Sequence, residues 1–339
     1  MLPLQEKLDI SPQEISNLLK YHYAGLMKAF YESQSSFLCG IYKRYGSIET
    51  ANILLCFARN THLEIIRQRE KDLNFDISLK NFAINFNTIN RPSEKITSVV
   101  KLTGVPKETV RRKIKNLIDK GYLCKNKNSK GYSWCLSPRE MDEFYKIIDY
   151  DTKSFSKFIS VIIKKLNIKL NTDVIEKEIH SQFSFYWYHY LSCQLDWLKW
   201  WQLKLKDNDL LLIALQATIP TLQYIGKMEK EVSLDEVFTI IGKINKKSDN
   251  QSFSVSATSV SEITGIPRAT CIRKLDKLVN LGFLIRELKT KRYEVNQSTE
   301  SRTKNIMNKD NVTFTIETFS EYIAIILNSL IRGKNSLTG

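Results

Sequence analysis

Apolar residues recur with helical spacing in a short basic segment of the chain. Between residues 106 and 120, Val110, Ile114 and Leu117 follow one another at positions i, i+4 and i+7. This spacing predicts an amphipathic α-helix with one buried face and a charged face opposite it. The segment is therefore expected to dock on a core through these three side chains.

A second predicted helix comes directly before this one. Residues 96–103 carry apolar side chains at Val99, Val100 and Leu102. Gly104 then stands where the residue after a helix commonly adopts positive φ, and Pro106 suits the first turn of the next helix. Together these residues predict two helices joined by a tight turn.

The residues after Lys120 predict a β-hairpin. Gly121 ends the helix, residues 122–124 begin a strand, and residues 132–136 form the return strand. A lysine-rich turn over residues 126–130 joins the two strands. The predicted order of elements is therefore helix, tight turn, helix and hairpin.

This pattern occurs twice in the chain. Residues 98–125 (SVVKLTGVPKETVRRKIKNLIDKGYLCK) align without a gap with residues 259–286 (SVSEITGIPRATCIRKLDKLVNLGFLIR), and 11 of the 28 positions are identical. A constant offset, here 161 residues, indicates an internal repeat. The second copy has Gly265, Pro267 and Leu278 at equivalent positions and a hairpin around residues 289–295.

Fainter similarity on both sides of the motif extends the repeat to about half of the chain. The chain has only 12 glycines and 7 prolines in 339 residues, which favours long helices around each motif. The predicted fold class is mainly α with two small β-hairpins. The first repeat spans residues 1–168 (helices over 1–92, the motif over 93–137, a closing helix over 138–168), and the second spans residues 169–339 (helices over 169–250, the motif over 254–297, a closing helix over 298–339).

The order of elements is that of the winged helix-turn-helix. The sequences TGVPKETVRRKIKNLIDKGYL and TGIPRATCIRKLDKLVNLGFLIR resemble those of winged-helix bacterial regulators, and the helices around them give a layout similar to the MarR family. Residues 126–130 and 288–292 lack the Asp-x-Arg pair that usually marks the wing of that family. The resemblance implies two tandem winged-helix domains, each flanked by long helices, that pack as a pseudo-dimer and bind double-stranded DNA.

Positive charge is concentrated in the two motifs. Residues 106–130 contain nine basic and two acidic residues, and residues 267–292 contain eight basic and two acidic ones. These segments therefore hold +13 of the chain's formal net charge of +15. Basic residues on the second helix and the wing favour phosphate binding, because that surface of a winged helix meets DNA. The duplication disfavours the alternative that these charges serve only solubility.

The outward face of each second helix and the wing that follows it supply the candidate DNA contacts. Arginine there can pair with guanine, lysine can hold phosphate, and Ile272 can contact a thymine methyl group. Asp276 is expected to repel phosphate, so an equally open alternative is that the second copy binds mainly through its wing. The candidate DNA-binding residues are Lys107, Thr109, Arg111, Arg112, Lys115, Lys127, Lys130, Arg268, Thr270, Ile272, Arg273, Lys289, Lys291 and Arg292.

An aromatic belt, residues 183–203, opens the second repeat. It contains Trp187, Trp197, Trp200 and Trp201. We interpret the belt as hydrophobic core where the two halves pack, with a small-molecule effector pocket as the alternative. A membrane-surface helix is disfavoured, because the aromatic positions run around the helix and form no narrow stripe.

Motifs for other chemistry are missing from the sequence. The six cysteines include no C-x-x-C pair and the four histidines have no metal-ligand spacing, which predicts reduced, mostly buried thiols and no metal or cofactor. No phosphate-binding loop or nucleophile motif indicates an enzyme. The N-terminus lacks a signal segment, and charged residues interrupt the apolar stretch 183–201, so we expect a cytoplasmic, nucleoid-associated protein without a membrane span.

These observations favour a sequence-specific transcriptional regulator that acts as a monomeric pseudo-dimer on an imperfect palindrome. A plasmid-type replication initiator is also built from two winged helices, and direct repeats at its binding sites would favour that alternative. A winged-helix adaptor of a chromosome-condensing complex is a third possibility that needs no DNA. In such an adaptor the wing surface need not be basic, so the charge placement disfavours it.

Overall fold

The computed structural model of the chain describes residues 9–126, 130–168, 170–228, 231–244, 253–296 and 308–337. Over these residues the fold is mainly helical with two antiparallel two-stranded sheets, which confirms the predicted mainly α class with two small hairpins. The helices are α1 (Pro12–Tyr21), α2 (Tyr23–Tyr45), α3 (Ile48–Lys71), a 3-10 turn (Leu79–Asn81), α4 (Phe82–Thr88), α5 (Ile96–Thr103), α6 (Lys107–Asp119), α7 (Pro138–Lys165), α8 (Thr172–Ser181), α9 (Phe183–Leu205), α10 (Asp209–Met228), α11 (Leu234–Ile244), α12 (Ala257–Thr264), α13 (Arg268–Asn280) and α14 (Lys309–Leu337). The strands are β1 (Leu123–Lys125), β2 (Tyr132–Trp134), β3 (Leu284–Arg286) and β4 (Tyr293–Val295).

The chain folds into two compact units. The first unit comprises Tyr45–Lys206 with Ser329–Gly339, and the second comprises Met1–Arg44 with Asp207–Asn328. The first unit therefore holds α3 to α9, and the second holds α1, α2, α10 to α13 and most of α14. Residue 168 separates the two repeats of the sequence, but it does not separate the two units.

The opening helices of the two repeats are exchanged between the units. Helices α1 and α2 open the first repeat, and α8 and α9 occupy the same places 160 residues later in the second repeat. Helices α8 and α9 nevertheless belong to the first unit with α3, whereas α1 and α2 belong to the second unit with α10. Each unit thus combines the opening helices of one repeat with the central motif of the other.

The same backbone contact fastens the exchanged helices in both units. In the first unit the Ser184 amide at the start of α9 donates to the Ile77 carbonyl at 3.1 Å. In the second unit the Ala24 amide at the start of α2 donates to the Val232 carbonyl at 3.1 Å. Each carbonyl lies in the loop after the unit's long helix, α3 or α10, so the exchanged arrangement is itself duplicated.

Two helix–hairpin modules carry the repeated motif. The first module consists of α5, α6, β1 and β2, and the second consists of α12, α13, β3 and β4. Helix α5 has the predicted bounds and is followed by Gly104 at a φ of +69°, while Gly265 follows α12 at +74°. Glycine adopts this left-handed backbone without the steric cost that a side chain adds, which explains both residues.

The element ends in the modules differ from the prediction by one or two residues. Pro106 and Pro267 have extended ψ angles of 141° and 136° and act as N-caps, so α6 and α13 begin one residue after each proline. Strand β1 begins at Leu123, which pairs with Trp134, the last residue of β2. Pairing of the two strands ends at Trp134, so the return strand is shorter than the predicted residues 132–136. The Cys135 amide still donates to the Tyr122 carbonyl at 2.9 Å.

The aromatic belt lies in the core of the first unit. Helix α9 packs along α3, and Trp187, Trp197 and Trp201 are each at most 5% exposed. Trp134 of the first hairpin is also buried, with its ring centroid 6.1 Å from that of Phe82. Burial confirms that these three belt tryptophans are core residues, while an effector pocket near the belt stays a prediction. The hairpin is anchored in the same unit through Trp134.

One helix among the described residues is long and apolar enough to cross a membrane. It is the stretch Lys309–Arg332 of α14, with a mean hydropathy of 1.3, and not the belt stretch that was expected to come nearest. Within the protein, 56% of its most apolar part is buried. A helix in a protein core has the same length and composition, so this observation is weak support for a span.

Candidate nucleic-acid interface

The outward face of α6 is cationic. Lys107, Arg111, Arg112 and Lys115, all predicted DNA contacts, are exposed. The Arg111 guanidinium lies 3.2 Å from the carboxylate of Glu108, one turn earlier on the same helix. The other three basic side chains have no acidic partner among the described residues, so their charge faces solvent.

Lys113 is the exception among the basic residues of α6. Its side chain is 18% exposed, and its ammonium lies 3.5 Å from the carboxylate of Glu49 and donates to the hydroxyls of Ser47 (3.0 Å) and Thr50 (2.8 Å). These groups belong to the start of α3. Lys113 therefore docks α6 on the unit's long helix and contributes no charge to the outer surface.

The first hairpin continues the cationic surface. Lys125 at the end of β1 and Lys130 in the turn are exposed, and Thr109 on α6 is half-buried. Lys127 lies outside the described residues. Lys125, Lys130 and the four exposed basic residues of α6 thus belong to one module.

The outward face of α13 is more mixed. Arg268 and Arg273 are exposed, whereas Thr270 and Ile272 are half-buried. The Arg268 Nε donates to the Thr258 hydroxyl at 3.1 Å, which ties the start of α13 to α12. Only Arg273 of these four residues offers an exposed charge with no partner among the described residues.

Lys274 docks α13 in the way that Lys113 docks α6. It is 11% exposed, and its ammonium lies 2.5 Å from the carboxylate of Asp207 and 3.4 Å from that of Asp209. Both acidic residues lie at the start of α10. The sequence contains a signal for this role, because Lys113 and Lys274 are identical at the repeat offset. Their two charges do not belong to the surface on which the sequence pattern placed them.

Asp276 has a structural partner in the second hairpin. Its carboxylate lies 3.3 Å from the guanidinium of Arg286 on β3 and accepts a hydrogen bond from the Tyr293 hydroxyl on β4 at 2.8 Å. Burial, with help from this hydrogen bond, raises the pKa of Tyr293 to about 12. Arg286 compensates the negative charge that was expected to repel phosphate, and Asp276 instead links α13 to the hairpin.

The second hairpin has two exposed lysines and one arginine whose side chain is already hydrogen-bonded within the unit. Lys289 and Lys291 are exposed in the turn, but the Arg292 Nε donates to the Ser254 hydroxyl at 2.8 Å. Glu287 accepts hydrogen bonds from Thr290 and from the Lys289 amide, and these bonds lower its pKa. The carboxylate of Glu287 thus adds negative charge beside the two exposed lysines of this turn.

A group of metal-type ligands lies between α7 and α8 in the first unit. One ligand atom each of Asp149, Glu176 and His180 lies within 4.8 Å of the other two. The Lys153 ammonium lies 2.7 Å from the Asp149 carboxylate, and the His180 Nε2 lies 2.9 Å from the Thr152 hydroxyl. Because the Lys153 ammonium already occupies the Asp149 carboxylate and His180 is engaged by Thr152, the group carries no argument for a bound metal.

The cysteines differ from the expectation of six reduced thiols. Cys124 on β1 and Cys135 after β2 form a disulfide, with their Cα atoms 5.9 Å apart. They are eleven residues apart in the sequence, and the hairpin brings them side by side. The other four cysteines, Cys39, Cys56, Cys193 and Cys271, are free and buried, as predicted.

Comparison of the chain with protein-family models, with curated proteins and with solved structures finds no match. The two modules themselves are therefore the features that indicate a function. In each module the docking lysine, Lys113 or Lys274, is set apart from the exposed basic side chains.

Proposed function

We propose that the chain is a DNA-binding transcriptional regulator in which each helix–hairpin module acts as a winged helix. The observation that carries this proposal is the exposed face of α6, where Lys107, Arg112 and Lys115 have no acidic partner among the described residues. Unpaired cations on one surface favour a polyanionic ligand, because they displace the counterions that surround DNA. The MarR-like resemblance of both motifs supports the same function.

In this proposal α6 enters the major groove and the first hairpin follows the backbone. Arg111 and Arg112 are long enough to form bidentate hydrogen bonds with guanine, and Lys115 is placed for phosphate. Lys125 and Lys130 extend the contact from the hairpin. Glu108 holds Arg111 at 3.2 Å in the free protein, so DNA binding would release that pair.

The second module would bind more weakly. Lys274, Arg286 and Arg292 each make contacts within the unit, which leaves five exposed cations in the second module: Arg268, Arg273, Lys277, Lys289 and Lys291. A single chain with two unequal modules would recognise two unequal half-sites. The expected target is therefore an imperfect palindrome, with its stronger arm bound by the first module, on chromosomal DNA in the cytoplasm.

The salt dependence of duplex binding tests this proposal. Fluorescence anisotropy with labelled genomic fragments should give a log–log slope of about −0.9 for each phosphate neutralised. Replacing Arg111, Arg112 and Lys115 together by glutamine should flatten this slope by about one for each phosphate that the variant no longer neutralises. The matched control replaces Lys146, Lys153 and Lys157 of α7 by glutamine, which removes the same charge from the same unit.

The outcomes separate the candidate functions. If both triple variants lose the same DNA affinity, net charge alone explains the loss. That outcome would contradict a specific DNA-binding surface on α6. No binding to any duplex at low salt would contradict DNA recognition and favour the adaptor. Selection of direct repeats instead of a palindrome would favour a replication initiator.

A further inference from the structure

The disulfide of the first hairpin has no counterpart in the second. Cys124 and Cys135 correspond at the repeat offset to Ile285 and Asn296, which cannot form such a bond. The Cα separation of 5.9 Å is ordinary for a disulfide. The link therefore belongs to one module only and is not needed to build this hairpin fold.

The disulfide is accessible through Cys124, whereas Cys135 is buried. Cys124 is exposed and Cys135 is 9% exposed. Both line a cavity of about 310 Å³ together with Arg91, Lys125 and Ser133. A small thiol can therefore approach the disulfide directly, and two basic side chains at the cavity favour a thiol reagent that carries negative charge.

The free cysteines lack these properties. Burial raises the pKa of the Cys39, Cys56 and Cys271 thiols, which disfavours the reactive thiolate. By contrast, the Arg91 guanidinium lies 3.7 Å from the Cys135 Sγ and is itself held by the Trp134 carbonyl at 3.3 Å. A fixed cation at this distance stabilises a thiolate on Cys135.

We propose that Cys124 and Cys135 form a reversible thiol–disulfide exchange site for small anionic thiols and their disulfides. In reduction, an external thiolate attacks the exposed Cys124 Sγ, the protein S–S bond breaks, and its electron pair leaves on Cys135 Sγ beside Arg91. A second external thiolate then attacks the external sulfur of the mixed disulfide and releases Cys124 as a thiolate. The balance is one protein disulfide and two external thiolates giving two protein thiolates and one external disulfide.

Thiol–disulfide exchange at this site controls the conformation of the first hairpin. Lys125 follows Cys124 directly, and Lys130 lies in the turn that the disulfide closes. The covalent link holds both lysines in one arrangement, and preorganisation of this kind strengthens binding. This expectation rests on the proposed function: the oxidised chain should bind duplex DNA about threefold more tightly than the reduced chain.

Thiol counting tests the exchange without DNA. The full chain is equilibrated with mixtures of reduced and oxidised glutathione, quenched in acid, denatured and labelled with a maleimide–polyethylene glycol. The label should step from four to six cysteines as the reduced thiol increases. Cys124→Ser should lose this two-cysteine step, whereas Cys39→Ser, a buried control, should keep it.

The kinetics test the position of Arg91. Arg91→Gln should slow reduction by glutathione about threefold, because the leaving sulfur loses its cation, and Arg91→Lys should restore most of the rate. Six labels at every glutathione ratio, or four labels even in fully reduced glutathione, would overturn the exchange site. Equal rates for Arg91→Gln and the unchanged chain would overturn the assignment of Cys135 as the leaving sulfur.

Duplex affinity of the oxidised and reduced chain is then measured by anisotropy at one salt concentration. A threefold difference that disappears in Cys124→Ser supports control of the hairpin, and equal affinities would refute it. Absence of DNA binding in both states would contradict the proposed function, while the labelling result would still decide the exchange site.

Discussion

The two helix–hairpin modules share a docking contact and differ on the surface that faces solvent. Lys113 and Lys274 hold α6 and α13 on α3 and α10 through the same type of contact. At the outward position Lys115, however, the second module has Asp276, and at Lys125 it has Arg286. The second pair forms an internal ion pair, whereas the first pair consists of two exposed cations. The two copies thus share the lysine contact that docks the helix and differ in the charges on the outward surface.

The interiors of the two units differ as well. The first unit buries His62 and Asp151, and burial alone lowers the pKa of His62 to about 3 and raises that of Asp151 to about 7. In the closing helices Phe155 aligns with Phe319, and Asp151 therefore aligns with Thr315 of the second unit. Thr315 is buried too, but its side chain does not titrate. Only the first unit is therefore expected to lose stability through these groups as pH changes.

The largest expected effect concerns Asp151. Its folded pKa of about 7 lies above an unfolded value of about 3.9, so its contribution to stability is fully present below pH 4 and is lost as pH rises through 7. Asp151→Asn should therefore stabilise the first unit at pH 8 by about 3 kcal/mol relative to its effect at pH 4. Urea unfolding at the two pH values measures this difference. Both proteins retain His62, so its opposite pH dependence cancels, and a gain that does not change with pH would contradict the prediction.

The docking lysines give the next largest effect. Lys274→Met should destabilise the second unit by about 2 kcal/mol, because it leaves Asp207 and Asp209 side by side without their cation. Lys113→Met should cost about 1 kcal/mol, since only Glu49 loses an ionic partner there. Denaturant unfolding of both variants checks the order. A larger destabilisation by Lys113→Met than by Lys274→Met would contradict this order.

Substitution of Arg112 and Arg273, which occupy equivalent positions, compares the outward surfaces of the two modules directly. Arg112→Gln should weaken duplex binding about tenfold and Arg273→Gln about threefold, because the first module offers more unpaired cations to act together. Both side chains are exposed, so the unfolding free energy should stay the same in each variant. Anisotropy titrations on one duplex measure the ratio. Equal weakening by the two substitutions would indicate that both modules contribute alike.

The smallest effect comes from exchanging the residue types at the diverged position. Asp276→Lys should destabilise the second unit by about 1 kcal/mol, because Arg286 and the Tyr293 hydroxyl lose their acceptor. Lys115→Asp should leave stability almost unchanged, since Lys115 is exposed and has no ionic partner among the described residues. Thermal unfolding of the pair checks this contrast. Equal destabilisation would contradict a structural role for Asp276.

Local sequence signals predicted the modules well. Helix α5 matches its predicted bounds, and α6 begins within one residue, because glycine, proline and apolar spacing act over a few residues. The partners of Lys274 could not be predicted in this way, since Asp207 lies 67 residues away. The disulfide was missed for a different reason: the two cysteines form no C-x-x-C pair, and their pairing depends on the register of the two strands. The exchange of opening helices was not predicted, since a repeat in sequence does not specify which copy each helix packs against.

The exchange of opening helices imposes an order on folding during synthesis. The elements of the first unit up to Lys206 leave the ribosome as one continuous segment and can pack as they emerge. Helices α1 and α2 are made before the rest of the second unit, and the Ile10 amide, just before α1, donates to the Asn328 side chain of α14 across a sequence separation of 318 residues. The faces of α1 and α2 that pack within the second unit therefore stay uncovered until residues from Asp207 onward have been made, which favours a chaperone that holds these helices during translation.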